Sequence, residues 1–199
     1  MHQTEQKAQL AALLMLTIAL GGCDVTVDPG IESGSPAVSL LPDKTLSNSA
    51  CGEGSALKTT LYGALAGDVE WLAADMQCEG MPRPDGAGAR LRFAGLVGKE
   101  AMPIAFIIAL PDLERGIGGS EFASNVTVIE EANSRFFSTG DLESCWTDIE
   151  SNSALDDGGE RFAIGGVLYC ISPLPEVNGD ASVSIPEMRF SGLLDWTST

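Results

Sequence analysis

The sequence predicts an all-β protein, an antiparallel β-sandwich of roughly eight strands in a single domain stapled by disulfides. Three observations lead to this prediction. Apolar residues alternate with polar ones at period 2, short runs of Gly, Pro, Asn and Asp separate the alternating segments, and four cysteines lie within residues 51–199. A segment of about 150 residues is long enough for one domain with one hydrophobic core.

The alternation is clearest between Leu61 and Trp71. One face of this stretch carries Leu61, Gly63, Leu65, Gly67, Val69 and Trp71, and the other carries Tyr62, Asp68 and Glu70. The leucines also fit a helical spacing, but two interior glycines would each cost about 1 kcal/mol relative to alanine in a helix. We therefore predict one strand here, with Trp71 facing the core.

Further segments have the composition of strands. The apolar run "AFIIAL", between Pro103 and Pro111, suits a central strand that is buried on both faces. The other predicted strands are around Leu91–Val97, "NVTVIEE", "SRFFST", "CWTDIE", "RFAIGGVLYCI" and "MRFSGLLDW". Gly165–Gly166 is a candidate β-bulge.

Four cysteines outside the first 50 residues predict two disulfides if the chain is exported. Four cysteines allow three connectivities, and we expect the sequential one, Cys51 with Cys78 and Cys145 with Cys170. Each bridge would close a loop of about 25 residues and contribute on the order of 3 kcal/mol in the chain-entropy description. The second bridge would clamp two neighbouring strands.

The charge and the histidine content exclude several functions. The chain carries a net charge of −17, which repels nucleic acid. Its single histidine is His2, inside the predicted signal, so residues 23–199 cannot form a Ser-His-Asp triad, a Cys-His pair or a His-ligated zinc site.

The first 23 residues have the pattern of an export signal. Lys7 precedes an apolar stretch from residue 8 to residue 22 that is too short to span a bilayer, which needs about 20 apolar residues. The stretch Leu20-Gly21-Gly22-Cys23 resembles the lipobox of bacterial lipoproteins. This resemblance implies that residues 1–22 are removed and that Cys23 carries the lipid anchor. The alternative is an ordinary secretory signal that leaves Cys23 as a spare thiol.

Two further features follow from the lipobox. Asp24 resembles the signal that retains lipoproteins at the inner membrane of enteric bacteria, so we expect the periplasmic face of that membrane, with the outer membrane as the alternative. Residues 23–50 are rich in Pro, Ser, Gly and Asp and are expected to form a flexible tether. The domain would then occupy residues 51–199.

The stretch "EVNGDASVSIPE" resembles the twelve-residue calcium loop of EF-hand and dockerin-type modules. This resemblance implies a ligand set, in loop order, of Glu176, Asn178, Asp180, the Ser182 carbonyl and Glu187. Ala181 stands where those loops have glycine, and strand-like segments flank the loop on both sides. A plain hairpin turn at Asn178–Gly179 is the alternative.

Other candidate sites have simple structural alternatives. Asp141, Glu143 and Asp148 surround Cys145–Trp146 and could serve in a carboxylate-dependent hydrolase, or form a solvated rim. Trp196 is expected in the core. The alternation around Trp146 does not show whether its side chain faces the core or the solvent. Intramolecular ion pairs with carboxylates are the expected role of three arginines, Arg83, Arg90 and Arg92.

Taken together, these features lead us to expect a lipid-anchored cell-envelope protein that acts as a binding or structural module. An envelope protein or a glycan would be its partner, and no cofactor is required. A carboxylate-dependent carbohydrate-active hydrolase and a calcium-stabilised surface domain are the alternatives.

Overall fold

Two antiparallel β-sheets face each other in the computed structural model, which describes residues 51–155 and 159–197. The predicted all-β sandwich is therefore confirmed. The predicted signal, Cys23 and the tether lie outside the described residues. Within the described part of the chain, no helix has the length and apolar character needed to cross a membrane.

Eight strands form the larger sheet and five form the smaller one. The larger sheet contains β1 (Ala56–Gly63), β2 (Gly67–Leu72), β6 (Gly119–Ala123), β9 (Cys145–Ala154), β10 (Arg161–Cys170), β11 (Leu174–Pro175), β12 (Ser182–Ser184) and β13 (Met188–Asp195). The smaller sheet contains β3 (Met76–Pro82), β4 (Ala89–Val97), β5 (Met102–Leu110), β7 (Asn125–Glu130) and β8 (Arg135–Ser138). A short 3-10 helix, Glu131–Asn133, connects β7 to β8.

The order of the larger sheet is β11-β12-β1-β13-β10-β9-β6, and β2 pairs with β1. The order of the smaller sheet is β3-β4-β5-β7-β8. The strand that carries "AFIIAL" is thus the central one of the smaller sheet, as predicted. Ile104, Phe106 and Ile108 are fully buried on its core face. Ile107 and Ala109 on the opposite face are only half-buried, so the predicted burial of both faces is incomplete.

Aromatic side chains join the two sheets in the core. The ring centroids of Trp71 and Phe106 are 5.7 Å apart, and those of Phe93 and Phe190 are 5.8 Å apart. The indole Nε1 of Trp71 donates a hydrogen bond to the carbonyl oxygen of Leu96 at 2.8 Å. Because the indole N–H has a hydrogen-bond partner, the large Trp71 side chain can be buried without leaving a polar group unpaired.

One predicted strand is two strands in the structure. The stretch Leu61–Trp71 turns back on itself, so that β1 and β2 form a hairpin. The predicted inward face is nevertheless correct, because Leu61, Leu65, Val69 and Trp71 are buried. Gly63 has φ +90°, and a Cβ there would lie 2.4 Å from the Ser182 carbonyl oxygen, so the turn depends on glycine.

A register shift between β9 and β10 confirms the predicted bulge at Gly165–Gly166. Gly165 lies opposite Ser151 and Gly166 lies opposite Ile149, so Glu150 is the additional residue of β9. Turns such as the one between β1 and β2 divide segments that were predicted as single strands. The described residues therefore contain thirteen strands rather than about eight.

Both disulfides have the expected connectivity, Cys51 with Cys78 and Cys145 with Cys170. Cys145 and Cys170 are register partners on β9 and β10, so their bridge clamps two neighbouring strands, as predicted. Cys51 shortly precedes β1 of the larger sheet, whereas Cys78 is on β3 of the smaller one. The first bridge therefore fastens one sheet to the other.

A charged cluster closes one edge between the sheets. The guanidinium of Arg135 on β8 binds Glu176 through Nε at 2.6 Å and through Nη2 at 3.1 Å, and it binds Glu130 through Nη1 at 3.1 Å. The Arg135 guanidinium also lies 5.0 Å from the ring centroid of Phe137. We call Glu130, Arg135 and Glu176 the edge clamp, because it ties the hairpin β11–β12 to β8.

The two carboxylates of the edge clamp are well shielded, with Glu130 at 6% and Glu176 at 15% side-chain exposure. The hydrogen bonds from Arg135, partly offset by desolvation, lower the pKa of Glu176 below its ordinary value of 4.5. The same contacts raise the pKa of Arg135 above its usual range. A backbone hydrogen bond from Val177 to Phe136, at 2.8 Å, lies beside the clamp.

We predict that Glu176→Gln lowers the melting temperature at neutral pH, because Arg135 loses its bidentate carboxylate. A depressed folded-state pKa contributes stability that is complete above the unfolded pKa and is lost as pH falls through the folded one. The difference in melting temperature between wild type and Glu176→Gln should therefore be largest at neutral pH and shrink in acid. Thermal melts between pH 2 and 7 measure this difference in melting temperature. Glu70→Gln, which removes a carboxylate from an exposed ion pair, is the control. A difference that does not change with pH would contradict the role of Glu176.

Candidate functional site

The outer face of the larger sheet carries a groove over the β1–β2 hairpin. Its volume is about 590 Å³, within the range of small-molecule sites. We call it the β1–β2 groove. Ten residues line it: Lys58, Thr59, Thr60, Tyr62, Asp68, Val69, Glu70, Pro186, Glu187 and Arg189.

Strand alternation places most of these side chains. On β1, Leu57, Thr59 and Leu61 are buried, so Lys58, Thr60 and Tyr62 face outward. Asp68 and Glu70 face outward from β2 in the same way, as the sequence predicted. The groove is thus built on regular strands, whose side-chain directions are fixed by the pleat.

An irregularity in the neighbouring strand makes room for the groove. Thr59 pairs with Met188 on β13, and Tyr62 pairs with Ser184 on β12. Three residues, 185–187, therefore lie opposite two, Thr60 and Leu61, which is the arrangement of a β-bulge. Pro186 is in the middle of the three and has no N–H to continue the ladder. The side chain of Thr59 fastens the bulge by donating to the Glu187 carbonyl at 2.7 Å.

The charged and hydroxyl side chains in the groove are arranged in pairs. Lys58 Nζ donates to Glu70 Oε1 at 3.2 Å, and Thr60 Oγ1 donates to Asp68 Oδ1 at 2.7 Å. Arg189 Nε donates to Glu187 Oε1 at 3.0 Å. Exposed ion pairs of this kind contribute little to stability, so a ligand can exchange for them at low cost.

Tyr62 is the one aromatic residue in the groove lining, and its exposed fraction is 54%. Its register partner Ser184 is small, which leaves room beside the ring. Exposed aromatic side chains offer a large apolar surface to a ligand together with a polar hydroxyl.

A second outer-face region surrounds Trp146, one of the candidates from the sequence. Trp146 and Tyr169 are register partners on β9 and β10, and both are half-buried. Burial, followed by the charges of Asp148 and Glu121, raises the pKa of Tyr169. Asp148 accepts a hydrogen bond from the backbone N–H of Glu121 at 2.7 Å, and Glu121 has φ +60°. The Asp148 carboxylate therefore stabilises an unfavourable backbone conformation at the sheet edge.

The other predicted acids have local roles. Asp141 accepts hydrogen bonds from the backbone N–H of Glu143 at 3.1 Å and from the Ser144 hydroxyl at 2.8 Å. Asp141 and Glu143 lie in the loop before β9, whereas Asp148 is on the outer face. The sequence cluster is thus divided between a turn and the strand that follows it.

Two of the three arginines form the expected ion pairs with carboxylates, whereas Arg90 does not, and Trp196 is less buried than expected. Arg83 pairs with Asp85 at 2.7 Å, and Arg92 pairs with Glu131 at 2.9 Å. Arg90 instead contacts the sulfur of Met81 at 3.1 Å. Trp196 packs against the core and is only partly buried.

Three of the five predicted calcium ligands already have protein partners. Glu176 belongs to the edge clamp, the Ser182 carbonyl accepts a hydrogen bond from Ala64 N at 2.9 Å, and Glu187 binds Arg189 in the β1–β2 groove. Asn178, at φ +62°, and the exposed Asp180 occupy the hairpin turn between β11 and β12. Across residues 51–155 and 159–197, no three His, Cys, Asp or Glu side chains gather where they could hold a metal ion. Calcium binding stays a prediction, and it would require Glu176 to leave Arg135.

Sequence reasoning did not identify the β1–β2 groove as a site. The outward residues Tyr62, Asp68 and Glu70 were placed correctly, but Lys58, Thr60 and Arg189 were not singled out. The signal available was Pro186 inside a strand-like segment, since proline within a sheet marks an edge or a bulge.

Comparison with protein-family models, with curated proteins and with solved structures finds no match to this chain.

Proposed function

We propose that this protein is a lipid-anchored protein of the bacterial cell envelope whose β-sandwich binds a ligand in the β1–β2 groove. The anchor follows from the lipobox-like stretch that ends at Cys23. Several acyl chains on that cysteine would give a stable attachment, whereas a single chain would be marginal. Asp24 favours the periplasmic face of the inner membrane.

The observation that carries the binding function is the groove of about 590 Å³, lined by paired polar side chains and an exposed tyrosine. Ligand sites combine a concavity with a few placed polar groups, and this groove has both. It also lies on regular strands, which hold its side chains in fixed positions.

The carboxylates of the domain favour binding over acid-base catalysis. A glycosidase needs one carboxyl group that stays protonated, with a raised pKa. Among the residues that the structure describes, two carboxyl groups have a shifted pKa, Glu176 and Asp195, and both are lowered, through hydrogen bonds from Arg135 and Thr197 respectively. In the β1–β2 groove, Glu70 is 71% exposed and paired with Lys58. No specific observation favours the hydrolase alternative.

Replacing the predicted lipidated residue tests the anchor. Cys23→Ala should abolish labelling with radioactive palmitate and move the protein from the membrane fraction to the soluble fraction. Asp24→Ser is the matched control, which should keep the label. A Cys23→Ala protein that still labels and sediments with membranes would show that the lipoprotein assignment is wrong.

A groove-filling substitution tests the binding site. Thr60→Trp adds a large side chain inside the β1–β2 groove, whereas Leu72→Trp adds the same side chain on β2 outside it, at a position that is 62% exposed. Affinity purification of the intact lipoprotein from solubilised envelopes should recover the same bound material with wild type and Leu72→Trp. Thr60→Trp should lose it. Equal recovery with Thr60→Trp, or none with wild type, would contradict binding in this groove.

A further inference from the structure

The geometry and charge of the β1–β2 groove point to an uncharged oligosaccharide as its ligand, held by stacking on Tyr62 and by the polar pairs Lys58–Glu70 and Thr60–Asp68. This inference rests on the proposed binding function of the same groove. It adds the chemical class of the ligand, which the proposed function leaves open.

The net charge of the groove disfavours charged ligands. Its ten lining residues include two cations, Lys58 and Arg189, and three anions, Asp68, Glu70 and Glu187, which leaves one net negative charge. The whole chain carries a net charge of −17, which also repels anions. A cation would find Glu70 and Glu187 already paired, at 3.2 and 3.0 Å from Lys58 and Arg189.

A purely apolar ligand does not fit either. Seven of the ten lining side chains are charged or bear a hydroxyl on the outward face: Lys58, Thr60, Tyr62, Asp68, Glu70, Glu187 and Arg189. Covering them with an apolar molecule would remove water from these groups without replacing its hydrogen bonds. The ligand must therefore donate and accept many hydrogen bonds while carrying no charge.

The polar pairs match neighbouring hydroxyl groups. In Lys58–Glu70 and Thr60–Asp68, a donor and an acceptor are held side by side, 3.2 and 2.7 Å apart. A hydroxyl group of a ligand can accept a hydrogen bond from the donor of such a pair and donate one to the acceptor. Adjacent hydroxyls on a sugar ring present the same alternation of donors and acceptors, so the pairs can exchange their mutual contacts for contacts with the sugar.

Tyr62 supplies the apolar part of the site. Its ring is about half exposed, and it follows Lys58 and Thr60 in the outward row of β1. Alternate residues on a strand are about 6.6 Å apart, so the row extends along the groove. The C–H face of a sugar can cover the ring while the sugar's hydroxyl groups reach the polar pairs. The open groove of about 590 Å³ accommodates a short chain of sugar units.

Titration of the full-length protein in detergent tests the ligand class. The probes are neutral cello-, malto- and chito-oligosaccharides, with oligogalacturonate as the anionic comparison, and calorimetry measures the affinity. We expect saturable binding of at least one neutral oligosaccharide and none of oligogalacturonate. Tyr62→Ala should weaken that binding by about tenfold or more, because stacking is lost. Leu72→Ala, on β2 outside the groove, should leave it unchanged.

Three results would overturn the inference: binding of oligogalacturonate alone, equal effects of Tyr62→Ala and Leu72→Ala, or no binding of any neutral oligosaccharide. Circular dichroism confirms that each variant is folded. If no oligosaccharide binds while Thr60→Trp still abolishes recovery from envelopes, the ligand class is wrong and the binding function stands. If both experiments fail, the binding function is wrong as well.

Discussion

The bulge at Pro186 is the constraint on which the outer face of the larger sheet depends. β12 and β13 are consecutive segments that both pair with β1, but their registers differ by one residue. Both segments must keep their apolar side chains in the core, and Ile185 and Met188 are buried. Three residues therefore lie opposite two, and Pro186 is the one that has no N–H to pair. The groove beside β1 is the result.

The bulge persists because the segments on both sides of it are fixed. The edge clamp holds the β11–β12 hairpin against β8 through Arg135 and Glu176. Cys170 N donates to the Ile185 carbonyl at 3.1 Å, next to the disulfide with Cys145. On the β1 side, the Thr59 hydroxyl donates a hydrogen bond to the Glu187 carbonyl. Each contact ties the segment around Pro186 to a different strand, so the strand cannot straighten without losing one of them.

Local pattern in the sequence was enough for the fold class and for much of the core. Alternation identified the buried face that includes Val69 and Trp71, the even cysteine count gave both disulfides, and Gly165–Gly166 marked a bulge. The β1–β2 turn was missed because Gly63 and Gly67 fit the same alternation as the leucines. The groove was missed because it depends on which strands are neighbours and in what register, and that is a nonlocal property. The ion pair between Glu176 and Arg135 was not predicted, because the two residues are 41 positions apart in the chain.

The affinity of a neutral oligosaccharide for a variant that lacks Pro186 is the most direct test of whether the bulge creates the groove. Deleting this residue makes the two registers equal, so β12 and β13 can pair with β1 as one continuous strand, with Ile185 and Met188 still facing the core. We predict a folded protein, verified by circular dichroism, that has lost oligosaccharide binding. A folded variant that binds the oligosaccharide as tightly as wild type would contradict the claim that the bulge creates the binding groove.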